Sequence, residues 1–380
     1  MKITGIDCYA VRLPLISPFI ISYGTYSHVE SVLVRLTTNN GLVGWGEATP
    51  DPYVTGETWA GAYAMLRHDL LPLLRDQNPL HREAIHARLD GLVTGAPSAK
   101  AAIDLALWDI AGKRAGVSVA TLLGGPVRDA LVWHATLSIG EPEKMAAQAR
   151  AAVAAGHSEI KMKVGALRLS DDVDRIMAVR AAVGPEVALM VDANQGWRDP
   201  ATAIRAIQAI GPAAPAWIEQ AIRADDFAGL AEVRRATGIA QMADEGVHSA
   251  RDGLRIVELR AADLINVKLM KTGGITEAVR LIAVCEAAGL RCMVGSMVES
   301  TIATAAGVQL ALARRSVVAN GLVGPVMLRE DLATGLTYAD GALRIDPNAP
   351  GLGITVDEKR VARFTTEQTS IGKWATPASR

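Results

Sequence analysis

Past residue 125, short apolar runs alternate with longer stretches in which apolar residues recur every three or four positions. IKMKVG, EVALMVDAN, AWIEQ, IAQMADE, DLINVKL and LRCMVGS read as buried strands, with helical segments between and behind them. One helix is expected to start at Asp199-Pro200, where Asp can cap and Pro fits the first turn. Another, over 275–288, puts Ile275, Val279 and Ile282 on one face. The earlier part has a different rhythm. Two β-rich runs, ITGIDCYAVRLPL and ESVLVRLTTNNGLVGWGEATP, open the chain, and Asn39-Asn40-Gly41 in the second predicts a hairpin turn. Helical patterns follow over 57–74 and 98–115, and LLGGPVRD, from Leu122, marks a boundary.

The strands of the later region end on charged residues. Lys163, Asp192, Glu219, Asp244, Lys268 and Glu299 follow one another at intervals of 24 to 31 residues. A (β/α)₈ barrel spends roughly 30 residues on each βα unit and carries its chemistry at the C-terminal strand ends. The spacing therefore predicts an α/β barrel in which each unit contributes one charged side chain to a common mouth.

Asp192, Glu219 and Asp244 close consecutive strands, and adjacent strands lie about 4.8 Å apart. Carboxylates that close repel unless a cation sits between them. An all-oxygen set without His or Cys suits Mg²⁺ or Mn²⁺ better than zinc. One such acid alone would read as a helix N-cap; several at matching phase read as a metal site. Asn194 and Glu245 adjoin the ligands and are placed to orient them.

Lys161 and Lys163 alternate onto one face of the strand before Asp192, and Lys268 ends the strand after Asp244. A lone rim lysine would snorkel. A pair at a barrel mouth reads instead as acid/base machinery, with the charge of Lys161 lowering the pKa of Lys163 toward that of a base. One lysine would remove the proton α to a carboxylate while the metal stabilises the charge that builds; the other would reprotonate from the opposite face, giving a racemase or epimerase. With one lysine in use the same site runs an elimination or a cycloisomerisation. A lyase using Lys163 or Lys268 as a Schiff base, and a binding protein without activity, are the remaining readings.

Composition narrows the classes. Half of the 380 residues are hydrophobic and the net charge is -1, so there is no electrostatic footprint for nucleic acid or an anionic membrane. No apolar run approaches the roughly 20 residues of a membrane span, and the N-terminus lacks a signal-peptide layout. Cys8, Cys285 and Cys292 form no metal-type spacing and are expected to be reduced core residues of a cytoplasmic protein. The expected partners are a small-molecule carboxylate substrate and further copies of the chain.

The motifs SAKAAIDLALWDIAGKRAG, IKMKVG, VDANQGW, IEQ, MADE, NVKLMKTGGI, GSMVES and APGLGITVDEKRVARF resemble the enolase superfamily, in its muconate-lactonising-enzyme subgroup, from end to end. The resemblance implies a (β/α)₇β barrel over 126–345, capped by an α+β domain made of residues 1–125 and a returning tail, 346–380. It implies Mg²⁺ on Asp192, Glu219 and Asp244, and acid/base lysines at Lys163 and Lys268 supported by Lys161. It implies two closing loops, roughly 16–28 and 50–57, which make Tyr23 and Thr55 candidate substrate contacts. Barrel segments look like dipeptide epimerases; the tail looks more like muconate cycloisomerase. Both depart at the last strand, VVANGLVGPVML: the epimerases' Asp-x-Asp would fall on Gly321 and Val323, and the cycloisomerases' Glu on Gly321. With Gly321 bare, Glu299 and Asn320 are the nearest polar candidates by sequence. The expectation is poor retention of a free α-ammonium, preference for an N-substituted amino acid or other carboxylate, and extra room beside Gly321.

Overall fold

The computed structural model describes residues 1–166 and 168–371; positions 372–380 of the expected tail lie outside them. The leading β-rich runs form a four-stranded antiparallel sheet. Strand Ile3–Ile21 turns back on Gly24–Thr38, which turns again at Asn39-Asn40-Gly41 into Val43–Ala48. Gly41 takes φ 83° in that turn, a left-handed conformation that suits a residue without a Cβ. From the other end of the chain, Thr365–Ile371 pairs antiparallel with the first strand.

Helix Pro97–Ala115 lies across this sheet and is buried almost throughout. Its closest approach is to Val43–Ala48, where a Cβ on Gly46 would stand 1.9 Å from the Ala102 carbonyl oxygen. The expected helix over 57–74 is only partly regular. Thr58 caps helix Trp59–Met65; a wider π-type turn over Leu66–Leu70 and a 3-10 turn over Leu71–Leu74 follow. Pro72, which cannot donate a backbone hydrogen bond, sits in the last of these.

The alternating region forms eight parallel strands bonded in chain order: Ala135–Leu137, Glu159–Lys163, Ala188–Asp192, Trp217–Glu219, Gln241–Ala243, Leu264–Lys268, Arg291–Gly295 and Val317–Gly321. Helices Pro142–Ala154, Leu169–Val183, Pro200–Ala209, Phe227–Thr237, Ala250–Leu259, Ile275–Ala287 and Thr301–Ala313 connect them, the (β/α)₇β arrangement. Asp199 caps its helix as expected, its side chain accepting from Thr202 N. Ile160, Met162 and Val164 face the main core with the helices, which leaves Lys161 and Lys163 the barrel interior. The last strand meets the segment that leads into the first at a seam, where Asn320 Nδ2 donates to Val132 O in the short strand Leu131–Val132.

Cys8, Cys285 and Cys292 are buried and unpaired. Among the described residues, no helix is long and apolar enough to cross a membrane.

Candidate active site

The second, third and fourth barrel strands end in register: Lys163 stands beside Asp192, and Asp192 beside Glu219. Asp244 follows its strand by one residue and Lys268 closes the next. Just past these ends the backbone is strained. Asn194, Gln195 and Gln220 take φ of 39°, 67° and 37°, values non-glycine residues rarely adopt. The strain is held by cross-strand bonds: Gln195 N–H donates to Gln220 O, and Asp244 N–H to Gln220 Oε1.

Carboxylate oxygens of Asp192, Glu219 and Asp244 come within 4.8 Å of one another, and all three side chains are buried. Lys163 Nζ donates to Asp192 Oδ2 at 2.7 Å and to Asn194 Oδ1 at 2.9 Å. Lys161 Nζ bridges Asp192 Oδ2 at 2.9 Å and Glu219 Oε1 at 2.8 Å. On the opposite flank Lys268 Nζ lies 2.7 Å from Asp244 Oδ2. Asn194 Nδ2 holds Glu245 Oε1 at 2.9 Å.

A hard divalent cation fits this donor set. Glu219 Oε2 and Asp244 Oδ2 each lie 2.7 Å from a lysine nitrogen but off hydrogen-bond alignment, and Glu245 Oε2 has no partner at all. Buried carboxylate oxygens are rarely left so, and oxygen-coordinated Mg²⁺ takes this kind of donor. The charges agree. Burial and the Asp192 charge push Glu219 up to about 7, and burial and the Asp244 charge push Glu245 up to about 8. The cluster resists holding all its negative charge at neutral pH.

Burial alone would lower Lys161, but the Asp192 and Glu219 carboxylates outweigh it and hold Lys161 above the ordinary lysine range. Lys268 behaves alike, with Asp244 outweighing burial.

These groups open into a cavity of about 560 Å³. Its outer wall is the tip of the first hairpin together with the 49–59 segment. The tip is not the loop expected at 16–28: Phe19, Ile20 and Ile21 pair with Tyr26, Thr25 and Gly24. It is latched to the barrel, since Ile20 N–H donates to Ser138 Oγ and Ser22 Oγ to Asn194 O.

Tyr23 lines the cavity, its ring centroid 5.0 Å from that of Tyr53. Thr55 does not line it: its hydroxyl closes the Asp51 turn, accepting from Asp51 N and donating to Asp51 O. Asn320 is spent on the seam. Glu299 lies four residues beyond its strand, which ends at Gly295, and its Oε1 accepts from Met297 N. Burial and the charge of Glu47 push its carboxyl well above the ordinary range, so it offers no anion to a substrate. Gly321 lines the cavity, but the extra room is filled: a Cβ there would stand 2.6 Å from Met293 Cε.

Sequence reasoning passed over several groups. Lys271 is fully buried and donates to Asp244 Oδ1 at 2.7 Å and to the Asp244 and Asn266 carbonyls. One helical turn beyond Lys268, it was visible in the motif NVKLMK. Asn266 Nδ2 donates to Glu219 Oε1 at 2.9 Å. Asn266-x-Lys268 and His134-x-Thr136 repeat the alternation of Lys161-x-Lys163, and all line the cavity.

Known proteins resemble this chain in sequence and fold. Residues 4–124 match the model of the mandelate racemase / muconate lactonizing enzyme N-terminal domain, and residues 144–360 that of the enolase C-terminal domain-like family. The chain is 42% identical over 368 residues to N-succinyl-L-Arg/Lys racemase of Bacillus cereus, covering 97% of this chain and 99% of the relative. The crystal structure of that racemase superposes with a TM-score of 0.96, covering 98% of this chain and 100% of that one. A dipeptide epimerase from Cytophaga hutchinsonii, solved with Mg and the dipeptide D-Ala-L-Val, is 31% identical with a TM-score of 0.93, covering 98% and 100%. Chloromuconate cycloisomerase of Cupriavidus pinatubonensis is 36% identical, covering 89% of this chain and 91% of the relative.

Proposed function

The chain belongs to the mandelate racemase/muconate lactonizing enzyme family of the enolase superfamily, and from that premise we propose that it racemises an N-acyl amino acid. Asp192, Glu219 and Asp244 hold Mg²⁺, in keeping with the Mg in a structural relative. Bound there, the cation supplies the positive charge against which a carboxylate's α-proton becomes easier to remove.

The carrying observation is the disposition of two lysine side chains. Lys163 lies 2.7 Å from Asp192 and Lys268 2.7 Å from Asp244, so they flank the acidic cluster from separate sides and share one cavity. A substrate carboxylate at the cluster leaves its Cα between the two nitrogens. One lysine, as the neutral amine, takes the proton from Cα and the other, as the ammonium, returns a proton to the opposite face, which inverts the centre. Lys161 bridges Asp192 and Glu219 and keeps them together. The hairpin tip and the Tyr23–Tyr53 pair close the mouth against water.

An N-acylated substrate follows from the last strand, where Gly321 and Val323 give an α-ammonium no anion to pair with. The substrate side chain is basic. Asp51 lines the mouth, accepts from Tyr26 OH at 2.9 Å and forms no ion pair among the described residues. A basic side chain also agrees with the N-succinyl-L-Arg/Lys racemase likeness.

The test is α-proton exchange in deuterated water, followed by NMR and chiral analysis. N-succinyl-arginine and N-succinyl-lysine should exchange and racemise with added Mg²⁺ and stop in chelator. Turnover of cis,cis-muconate with no exchange of any N-acyl amino acid would replace this reading with cycloisomerisation.

A further inference from the structure

His134 immediately precedes the first barrel strand and alternates with Thr136 onto the barrel interior; both line the cavity. It is only 1% exposed. Its Nδ1 lies 3.3 Å from Thr136 Oγ1, while its Nε2 is buried with no aligned hydrogen-bond partner, the backbone of Ala135 and Asn320 beside the ring standing outside hydrogen-bond geometry. A histidine serving only the core would have both ring nitrogens satisfied. Burial pushes its pKa down to about 3 and nearby Lys161 pushes the same way, so the ring is neutral. In the tautomer whose Nδ1 accepts from the Thr136 hydroxyl, Nε2 carries the proton and is a donor.

The place of that donor matters. It stands across the seam from Gly321, 3.8 Å from where a Cβ would be, beside the Met293 methyl that fills the hollow. A substrate with its carboxylate at the acidic cluster and its Cα between Lys163 and Lys268 has two arms left. The mouth, with Asp51, takes the basic one. The seam takes the other, and among its wall of Met293, Gly321 and Val323 the unmet polar atom is His134 Nε2. Building on the N-acyl reading above, we propose that His134 is a substrate-binding residue whose Nε2–H donates to an oxygen of the substrate's N-acyl arm. A neutral donor with a lysine behind it favours an acceptor and disfavours an ammonium, so the residue selects for acylation at nitrogen.

The experiment uses the Mg²⁺-loaded enzyme with N-acetyl- and N-succinyl-arginine, comparing wild type, His134→Leu and His134→Gln. His134→Leu should raise KM at least tenfold and change kcat less than threefold; His134→Gln, which keeps an N–H donor, should recover most of the loss. A purely structural role would lower kcat and melting temperature together and leave no KM-specific defect. A KM defect for both substrates assigns the bond to the amide carbonyl; a defect for N-succinyl-arginine alone assigns it to the terminal carboxylate. Either supports the proposal. Unchanged KM for both overturns it while leaving racemisation standing. A wild type inert on both N-acyl substrates overturns the functional reading, and this inference with it. Should His134→Leu fail to fold, the ¹⁵N shift of the wild-type ring decides: no change at Nε2 on saturation with N-acetyl-arginine or N-succinyl-arginine overturns the proposal.

Discussion

Two groups of buried carboxylates occupy this molecule and are treated in opposite ways. Asp192, Glu219 and Asp244 converge at the barrel mouth; Glu47, Asp104 and Asp109 lie between the leading sheet, its helix and the barrel. All six are 0% exposed. In the second group every oxygen has a partner. Glu47 accepts from Ser31 Oγ, Ser300 N, Ser300 Oγ and Ala303 N. Asp104 accepts from Thr276 Oγ1 and N and contacts His86 Nε2 at 2.7 Å. Asp109 accepts from Trp45 N, Lys113 Nζ and Leu352 N. Their donors are mostly neutral and come from distant segments, so each acid joins parts of the chain. The mouth acids are crowded together, matched to ammonium groups, and left with oxygens out of alignment. One group completes the fold; the other stores unmet negative charge for a ligand.

Removing a mouth acid should produce the largest effect. Glu219→Gln and Asp244→Ala are each expected to cut racemisation by about 10³-fold or more, since a single lost electrostatic contact at a reaction centre already costs roughly 10²–10³. Stability should move the other way. Glu219→Gln relieves repulsion from Asp192, so its melting temperature in chelator should equal or exceed that of wild type. A fully active Glu219→Gln enzyme in chelator would end the metal assignment.

The lysines divide the mouth into two faces. Lys163→Ala and Lys268→Ala are each expected to block exchange from one enantiomer of the substrate by about 10²–10⁴-fold, the usual worth of a positioned acid or base, and to spare the other enantiomer more. Measuring exchange separately from D and L substrate decides this. Equal losses for both enantiomers in both variants would mean one base.

The joining group should respond in stability instead. Glu47 sits at the N-terminus of helix Thr301–Ala313, accepting the Ser300 and Ala303 amides, where negative charge complements the positive end of the helix dipole. Glu47→Ala strands two buried N–H groups, at about 1–3 kcal/mol each. Chemical denaturation should show a loss of about 2–4 kcal/mol, with kcat of the folded fraction within threefold of wild type. A large kcat defect without a stability loss would make Glu47 part of the mouth.

The two groups also differ in how legible they were. Asp192, Glu219 and Asp244 announce themselves because a barrel repeats its strand ends at even intervals, and a polar residue ending an apolar run stands out. Glu299 satisfied the same interval and failed, because spacing counts residues and does not see that its strand stops at Gly295. Asp104 and Asp109 fall on a helix where polar positions ordinarily face water. Their partners Thr276 and Leu352 lie 172 and 243 residues away, and no local pattern encodes them. The room expected beside Gly321 failed for a related reason: whether Met293 fills it depends on packing between neighbouring strands. The loop expected at 16–28 came from the resemblance and not from the local pattern, and the hairpin re-forms within it: pairing breaks after Pro14 and resumes at Phe19 after a register shift.

The smallest effect should come from pH acting on the joining group. His86 is buried against Asp104; burial alone would lower its pKa, but the hydrogen bond and charge of Asp104 raise it above the ordinary value. A histidine whose pKa is higher folded than unfolded binds its proton more tightly in the native state. Its contribution is therefore full below the unfolded value of about 6.5 and fades as pH rises through the folded one. Wild type should lose more stability over that alkaline-going window than His86→Gln, since the raised Glu219 and Glu245 titrate alike in both and cancel in the difference. Two of the mouth acids titrate with the opposite consequence: the lowered pKa of Asp192 and Asp244 contributes stability that disappears only in strong acid, whereas Glu219, pushed up to about 7, loses stability in the same alkaline-going direction as the histidine. Denaturant midpoints of wild type and His86→Gln, taken in chelator at a series of pH values from 5.5 to 9, separate the two groups. Parallel curves would mean that Asp104 is held by Thr276 alone and that the histidine adds no charge to the join.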